Sequence, residues 1–141
     1  MPRVILYTDG AARGNPGPAA IGIVLTDARG KVLQEFGERI GETTNNVAEY
    51  RALVRGLTLA AAQHADEIEI RTDSELMARQ LDGAYRVKAP NLKPLHDQAR
   101  RALARFAHVS IQHIPREQNR RADALANAAL DGATSQSHPL T

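Results

Sequence analysis

The sequence predicts an α/β domain, with a mixed five-stranded sheet in the element order β-β-β-α-β-α-α-β-α and helices on both faces. Three observations predict it. Val4 to Tyr7 is a short unbroken apolar run, which fits a central strand buried on both faces. Two further strand-like segments follow, separated by a turn, and complete a meander. Beyond them, segments with apolar residues at helical spacing alternate with short apolar strands, the pattern of a sheet covered by helices.

In chain order, the first strand ends at Thr8-Asp9-Gly10, and Gly14-Asn15-Pro16-Gly17-Pro18 reads as irregular loop. Ala20–Thr26 and Val32–Ile40 are the next strands, with Asp27-Ala-Arg-Gly30 as their hairpin turn. Thr43-Thr44-Asn45-Asn46 offers helix-capping residues, and the helix runs to about Gln63 with Val47, Tyr50, Val54, Leu57 and Ala61 as its buried stripe. Ile68 and Ile70 mark a fourth strand that stops at Thr72-Asp73-Ser74. Glu75–Leu81 is a short helix, Tyr85–Pro90 a basic connector, and Asn91–Phe106 a further helix. Val109–Ile114 is the fifth strand, and Asn119 to about Leu130 the last helix, with Ala122, Leu125, Ala126 and Ala129 inward.

The 141 residues make one ordinary domain, expected over 1–131, with 132–141 as a flexible tail. An apolar fraction of 43% and a charged fraction of 24% exclude a disordered chain. No stretch approaches the roughly 18 apolar residues of a membrane span, so no membrane partner is expected. The N-terminal apolar run stops at Asp9 and is no signal peptide. With no cysteine, disulfide scaffolds, thiolate metal sites and cysteine nucleophiles are excluded. An unstapled, signal-free domain reads as cytoplasmic, with a monomer as the default for this size. The net charge of +2 hides an asymmetry: residues 1–83 carry nine basic and twelve acidic groups, whereas residues 84–121 carry nine basic and two acidic. A basic block beside an acidic half points to a polyanion surface near a cation site.

The informative acids lie where elements meet. Asp9 and Asp73 end strands, where ligands gather in sheets of this kind. Glu49 lies in the first turns of its helix, and Asp123 stands between Ala122 and Ala124 in the last helix. Each has a plainer reading: Asp9 as a turn residue, Asp73 as a helix cap, Glu49 facing solvent, Asp123 paired with Arg120 or Asn127. An acid close to a buried helix face is costly unless it is paired, protonated or bound to a cation. A converging set of hard oxygen donors suits Mg²⁺ or Mn²⁺, and two such ions clamp both oxygens of a phosphodiester displacement. Spacing alone does not establish convergence.

Four motifs carry a family resemblance. YTDGAARGNPGPAAIG, TTNNVAEYRAL, TDSEL and NRRADALAN resemble, in order, the four motifs of ribonuclease H type 1, and the resemblance spans about residues 3–131. It implies the ribonuclease H-like fold, whose element order is the one read above. It also implies that Asp9, Glu49, Asp73 and Asp123 are the family's four metal-binding acids. These would hold two Mg²⁺ ions, with Mn²⁺ able to substitute. One ion would activate a water and the other stabilise the leaving 3′ oxygen. The implied activity is endonucleolytic hydrolysis of the RNA strand of RNA–DNA hybrids, leaving 5′-phosphate and 3′-hydroxyl ends. The alternatives are a broader nuclease that also cuts double-stranded RNA, or a nucleic-acid-binding module without catalysis. With Met1 at its start, the chain reads as a free-standing protein rather than a domain detached from a longer enzyme.

The same resemblance assigns Gly10, Asn15, Asn45, Asn46 and Ser74 as substrate contacts. The asparagine amides, which both donate and accept, suit RNA 2′-hydroxyls. The chain departs from the family pattern twice. Well-known bacterial members insert a basic helix rich in Lys and Trp where this chain has the short Tyr85-Arg-Val-Lys-Ala-Pro90. The expected form is therefore the compact one, in which Arg86 and Lys88, with Lys93, Arg100 and Arg101, take up phosphate contacts. Many members also carry a flexible His before the last acid, where Arg116 stands here. An arginine does not shuttle protons near neutral pH, but it stabilises phosphate charge, and Arg116 is counted with the catalytic set on that ground. His113, at a strand end, reads as structural.

Overall fold

A computed structural model describes residues 3–132 and 136–137 of the chain. Strands β1 (Arg3–Ala12), β2 (Gly17–Asp27) and β3 (Val32–Thr43) form the antiparallel meander. Helix α1 (Asn45–Ala61) follows, then β4 (Glu67–Thr72), α2 (Glu75–Leu81), α3 (Lys93–Leu103), β5 (His108–His113) and α4 (Arg120–Leu130), with a 3₁₀ turn at Arg116–Gln118 before α4. β4 pairs in parallel with β1 and β5 in parallel with β4, so the sheet is mixed, with β1 between the antiparallel and parallel parts. The strand order is β5-β4-β1-β2-β3, and a two-residue strand, β6 (Gln136–Ser137), adds antiparallel to the far edge of β3. That last pairing was not foreseen. Of the segment expected to be a flexible tail, residues 133–135 and 138–141 lie outside the described residues.

Helices α1, α2 and α3 cover one face and α4 the other. The larger core lies under α1: Val4 and Leu6 of β1, Ile21, Ile23 and Leu25 of β2, and Ile68 and Ile70 of β4 meet Tyr50, Leu53 and Leu57. Residues of alternate parity on β1 and β2 face α4, so both strands are buried almost throughout, which explains the unbroken apolar run at Val4–Tyr7. No helix among the described residues is long and apolar enough to cross a membrane.

Three close approaches set where the functional helices sit. A Cβ on Gly22 would lie 1.9 Å from the Ala122 carbonyl oxygen, and one on Gly37 would lie 2.3 Å from that of Leu125. With Ala122, Ala126 and Ala129 inward, α4 therefore rests directly on β2 and β3. On the other face, a Cβ on Gly10 would lie 2.2 Å from the Ala48 carbonyl carbon, which brings the start of α1 down onto β1. The α2–α3 connector holds turns and coil but no inserted helix, as expected of the compact form.

Candidate active site

Each acid is delivered by a different element. Asp9 lies on β1 beside the contact with α1 and is only 5% exposed. Glu49, one turn into α1, is buried at 9% exposure rather than solvent-facing. The helix is capped by Thr44, whose hydroxyl accepts from the Val47 N–H, and this fixes the rotation that turns Glu49 inward. Asp73 follows β4 directly. It does not cap α2; Ser74 does, accepting from Met77 N–H at 3.2 Å. Asp123 lies in the first turn of α4, brought in by the Gly22 and Gly37 contacts.

Asp9, Glu49 and Asp73 each present one carboxylate oxygen, and the three oxygens lie within 4.8 Å of one another. Asp123 stands beside them. All four, with Arg116, Arg13, Asn45 and Asn127, line one open cavity of about 370 Å³. The electrostatics follow from crowding in a dry place. Burial first, then the Asp73 and Asp123 carboxylates, push the Asp9 pKa up to about 8, with Arg116 opposing. Burial, then Asp9 and Asp73, raise Glu49 well above the usual carboxylate range, although the Gly10 N–H, donating to Glu49 Oε1 at 2.9 Å, favours its charged form. Asp9 Oδ2 is buried with no hydrogen-bond partner. Crowded acids with an orphaned oxygen are incomplete without a positive charge, and a hard divalent cation fits this donor set.

Four features of the site were not read from the sequence. Asn119 is 1% exposed and ties the site together: its Nδ2 donates to Thr8 O at 2.9 Å and to Asp73 Oδ2 at 3.1 Å. Its place just before the Arg-Arg-Ala-Asp run was the available signal, but it read as a helix start. Asn127, one turn after Asp123, donates Nδ2 to Asp123 Oδ1 at 3.2 Å, while Arg116 Nη2 donates to the same oxygen at 3.4 Å. Of the two partners its plainer reading offered, Asp123 takes Asn127 and not Arg120, and the pairing with Arg116 is the feature that reading lacked. The Gly10 N–H contact to Glu49 and the presence of Arg13 in the cavity were also not anticipated.

The expected substrate contacts divide. Asn45 lines the cavity and Asn15 is bonded to it: Asn45 Oδ1 accepts from Ala12 N–H at 2.8 Å, and Asn15 Oδ1 from Asn45 N–H at 3.0 Å. Each oxygen accepts one backbone N–H, which orients the amide and leaves its NH₂ and the oxygen's second lone pair for a ligand. Asn46 is exposed beside them. Gly10 is buried against α1, and Ser74 caps α2. Arg86 and Lys88 line a separate open groove with Leu76, Ala84 and Tyr85, away from the acids. Arg100 donates to Leu81 O at 2.9 Å and serves the α2–α3 packing.

A mixed sheet with one acid inside β1, which runs three residues past Asp9 instead of ending there, a second directly after β4, a third on α1 and a fourth on α4 across the sheet defines the ribonuclease H-like class of α/β domain. The comparisons agree. A family profile described as reverse transcriptase-like matches residues 7–129. The ribonuclease HI of Halobacterium salinarum is 51% identical over 131 residues, covering 93% of this chain and 66% of that protein. The crystal structure of RNase H1 from that archaeon superposes with a TM-score of 0.90, over 93% of this chain and 99% of that one. A bifunctional protein of Mycobacterium tuberculosis is 42% identical over 132 residues, covering 93% of this chain and 36% of its own length. LC11-RNase H1, isolated from compost and solved in complex with an RNA/DNA hybrid, is 48% identical with a TM-score of 0.85, over 92% of this chain and 97% of that one. The chain belongs to the ribonuclease H type 1 family. It spans about two thirds of the Halobacterium relative and about a third of the mycobacterial one.

Proposed function

We propose that this chain is a metal-dependent endonuclease that hydrolyses the RNA strand of RNA–DNA hybrids, leaving 5′-phosphate and 3′-hydroxyl ends. The observation that carries the reading is the meeting of Asp9, Glu49 and Asp73, with Asp123 beside them, in one open cavity. The 48% identity to a protein solved with an RNA/DNA hybrid supports the choice of substrate.

In this reading Asp9, Glu49, Asp73 and Asp123 hold two Mg²⁺ ions, for which Mn²⁺ substitutes. When bound, such ions supply an activated water and neutralise charge at the attacking and leaving oxygens. The protein's own part is orientation. The Gly10 N–H aims one Glu49 oxygen, and Asn119 aims one Asp73 oxygen while anchoring to β1. Arg116, on the exposed turn beside Asp123, supplies positive charge to the scissile phosphate without exchanging a proton. The NH₂ groups of Asn15 and Asn45 donate to the RNA strand, with Asn46 beside them, and Gly10 and Ser74 line its path through their backbone. Arg86 and Lys88, in their separate groove, meet phosphates farther along the hybrid. The reading includes a cytoplasmic monomer acting through residues 1–131.

The test is a labelled RNA–DNA hybrid beside matched double-stranded RNA, DNA duplex and single strands, each with Mg²⁺, Mn²⁺ or EDTA. Cutting confined to the RNA strand of the hybrid, and lost in EDTA, is expected. Cutting of double-stranded RNA at a similar rate would replace hybrid specificity with a broader nuclease. Binding without cutting in either metal would refute the catalytic reading.

A further inference from the structure

The acid cavity contains a second guanidinium besides Arg116. Arg13 lies on the loop after β1, and both its backbone and its side chain are pinned. Its N–H donates to Pro18 O at 2.8 Å, and its carbonyl packs so tightly on Gly17 that a Cβ there would lie 2.0 Å from the Arg13 oxygen. Its Nη1 pairs with Asp131 Oδ1 at 2.7 Å and its Nη2 reaches Asn127 O at 3.5 Å, so the side chain spans from the β1–β2 loop to the C-terminal end of α4. The guanidinium nevertheless stays half-exposed on the cavity wall.

A stabilising role explains this poorly. Both partners are exposed, 49% for Arg13 and 63% for Asp131, and pairs of that kind contribute little to stability. What the pair does is hold a rotamer-rich side chain at one place on the rim of an acidic cleft. A guanidinium has five donors in a planar fork, and the two contacts leave the others open. The acids and any cation on them account for the centre of the cavity. A fixed guanidinium at its edge has the sign and donor geometry for an anionic oxygen one position removed from the reacting one.

Resting on the proposed hybrid cleavage, we propose that Arg13 is a substrate-positioning residue that binds a non-bridging oxygen of an RNA phosphate adjoining the scissile one, with Asp131 holding the guanidinium in place. Arg13 and Arg116 then both contact the RNA backbone, Arg116 near Asp123 and Arg13 farther along α4, and Arg13 contributes to binding rather than to the chemical step.

The experiment measures kcat, KM and the salt dependence of KM on an RNA–DNA hybrid with Mg²⁺ for the wild type, Arg13→Ala, Arg13→Lys and Asp131→Asn, alongside thermal melting of each. Arg13→Ala should raise KM roughly threefold or more with kcat nearly unchanged, and should flatten the slope of log KM against log salt by about one phosphate contact. Arg13→Lys should keep the slope and part of the affinity. Asp131→Asn should keep the slope with a smaller rise in KM. An unchanged KM and slope in Arg13→Ala, with the wild type active, would overturn the assignment alone. So would equal losses in Arg13→Ala and Asp131→Asn that track a drop in melting temperature, the mark of a structural strap. A wild type that does not cut the hybrid would overturn the assignment together with the proposed function.

Discussion

Asp9→Asn separates the two jobs of the acid cluster, since it should cost activity and return stability. In the metal-free folded protein Asp9 keeps its proton up to about pH 8, whereas the unfolded chain releases it near 3.8. Across that window the folded state binds more protons, so stability falls as pH rises. From pH 4 to pH 7 the burial of Asp9 costs about 1.36 kcal/mol per pH unit, or up to about 4 kcal/mol. Glu49, raised for the same reasons, adds in the same direction. The neutral isostere removes the Asp9 charge and one of the charges acting on Glu49. In EDTA at pH 7, Asp9→Asn should therefore be more stable than wild type by about 2–4 kcal/mol, or about 6–12 °C in Tm at roughly 3 °C per kcal/mol for a domain of this size. At pH 4 the two should melt together. Saturating Mg²⁺ should narrow the gap at pH 7 by stabilising wild type more than the variant. The assay is thermal melting followed by circular dichroism from pH 4 to pH 8, with EDTA or Mg²⁺. Parallel pH profiles for wild type and variant in EDTA would refute the crowding argument.

Other outcomes test the supporting structure. Gly22→Ala places a Cβ 1.9 Å from the Ala122 carbonyl, so α4 must lift. It should cost about 1–3 kcal/mol in urea unfolding and slow cleavage by displacing Asp123; wild-type stability would show that α4 does not rest on β2 as described. Asn119→Ala removes both the Thr8 and the Asp73 contacts from a buried position. A loss of about 1–3 kcal/mol is expected, with a fall in kcat larger than the fall in folded fraction explains. Arg116→Ala should lower turnover more than Asp82→Ala, a change outside the cavity, and equal rates would remove Arg116 from the site.

The sequence made the strands legible because burial on both faces leaves an apolar run that a half-exposed strand does not. β1 is that case, central between β4 and β2. The helices were legible from periodicity, and Glu75–Leu81 coincides with α2 residue for residue. The acids were visible only as candidates, since each has an ordinary capping or pairing role taken alone. What brings them together acts at long range: Gly22 and Gly37 admitting α4, and Gly10 admitting α1. A glycine in a strand does not announce which backbone approaches it. The same limit hid Asn119, whose partners lie far away in sequence. It also hid Arg13, whose place in the cavity depends on Asp131 at the opposite end of the chain. The sequence likewise did not show that the Asn15 and Asn45 oxygens accept from the N–H groups of Asn45 and Ala12, contacts that only the fold supplies.

The most direct measurement is the cleavage rate of an RNA–DNA hybrid under Mg²⁺ by the wild type and by Asp9→Asn, Glu49→Gln, Asp73→Asn and Asp123→Asn, each confirmed folded. Four acids acting on one reaction predict a loss of at least about a hundredfold for every variant, with Asp9→Asn inactive although more stable in EDTA. Cutting by Asp9→Asn at the wild-type rate would contradict the account.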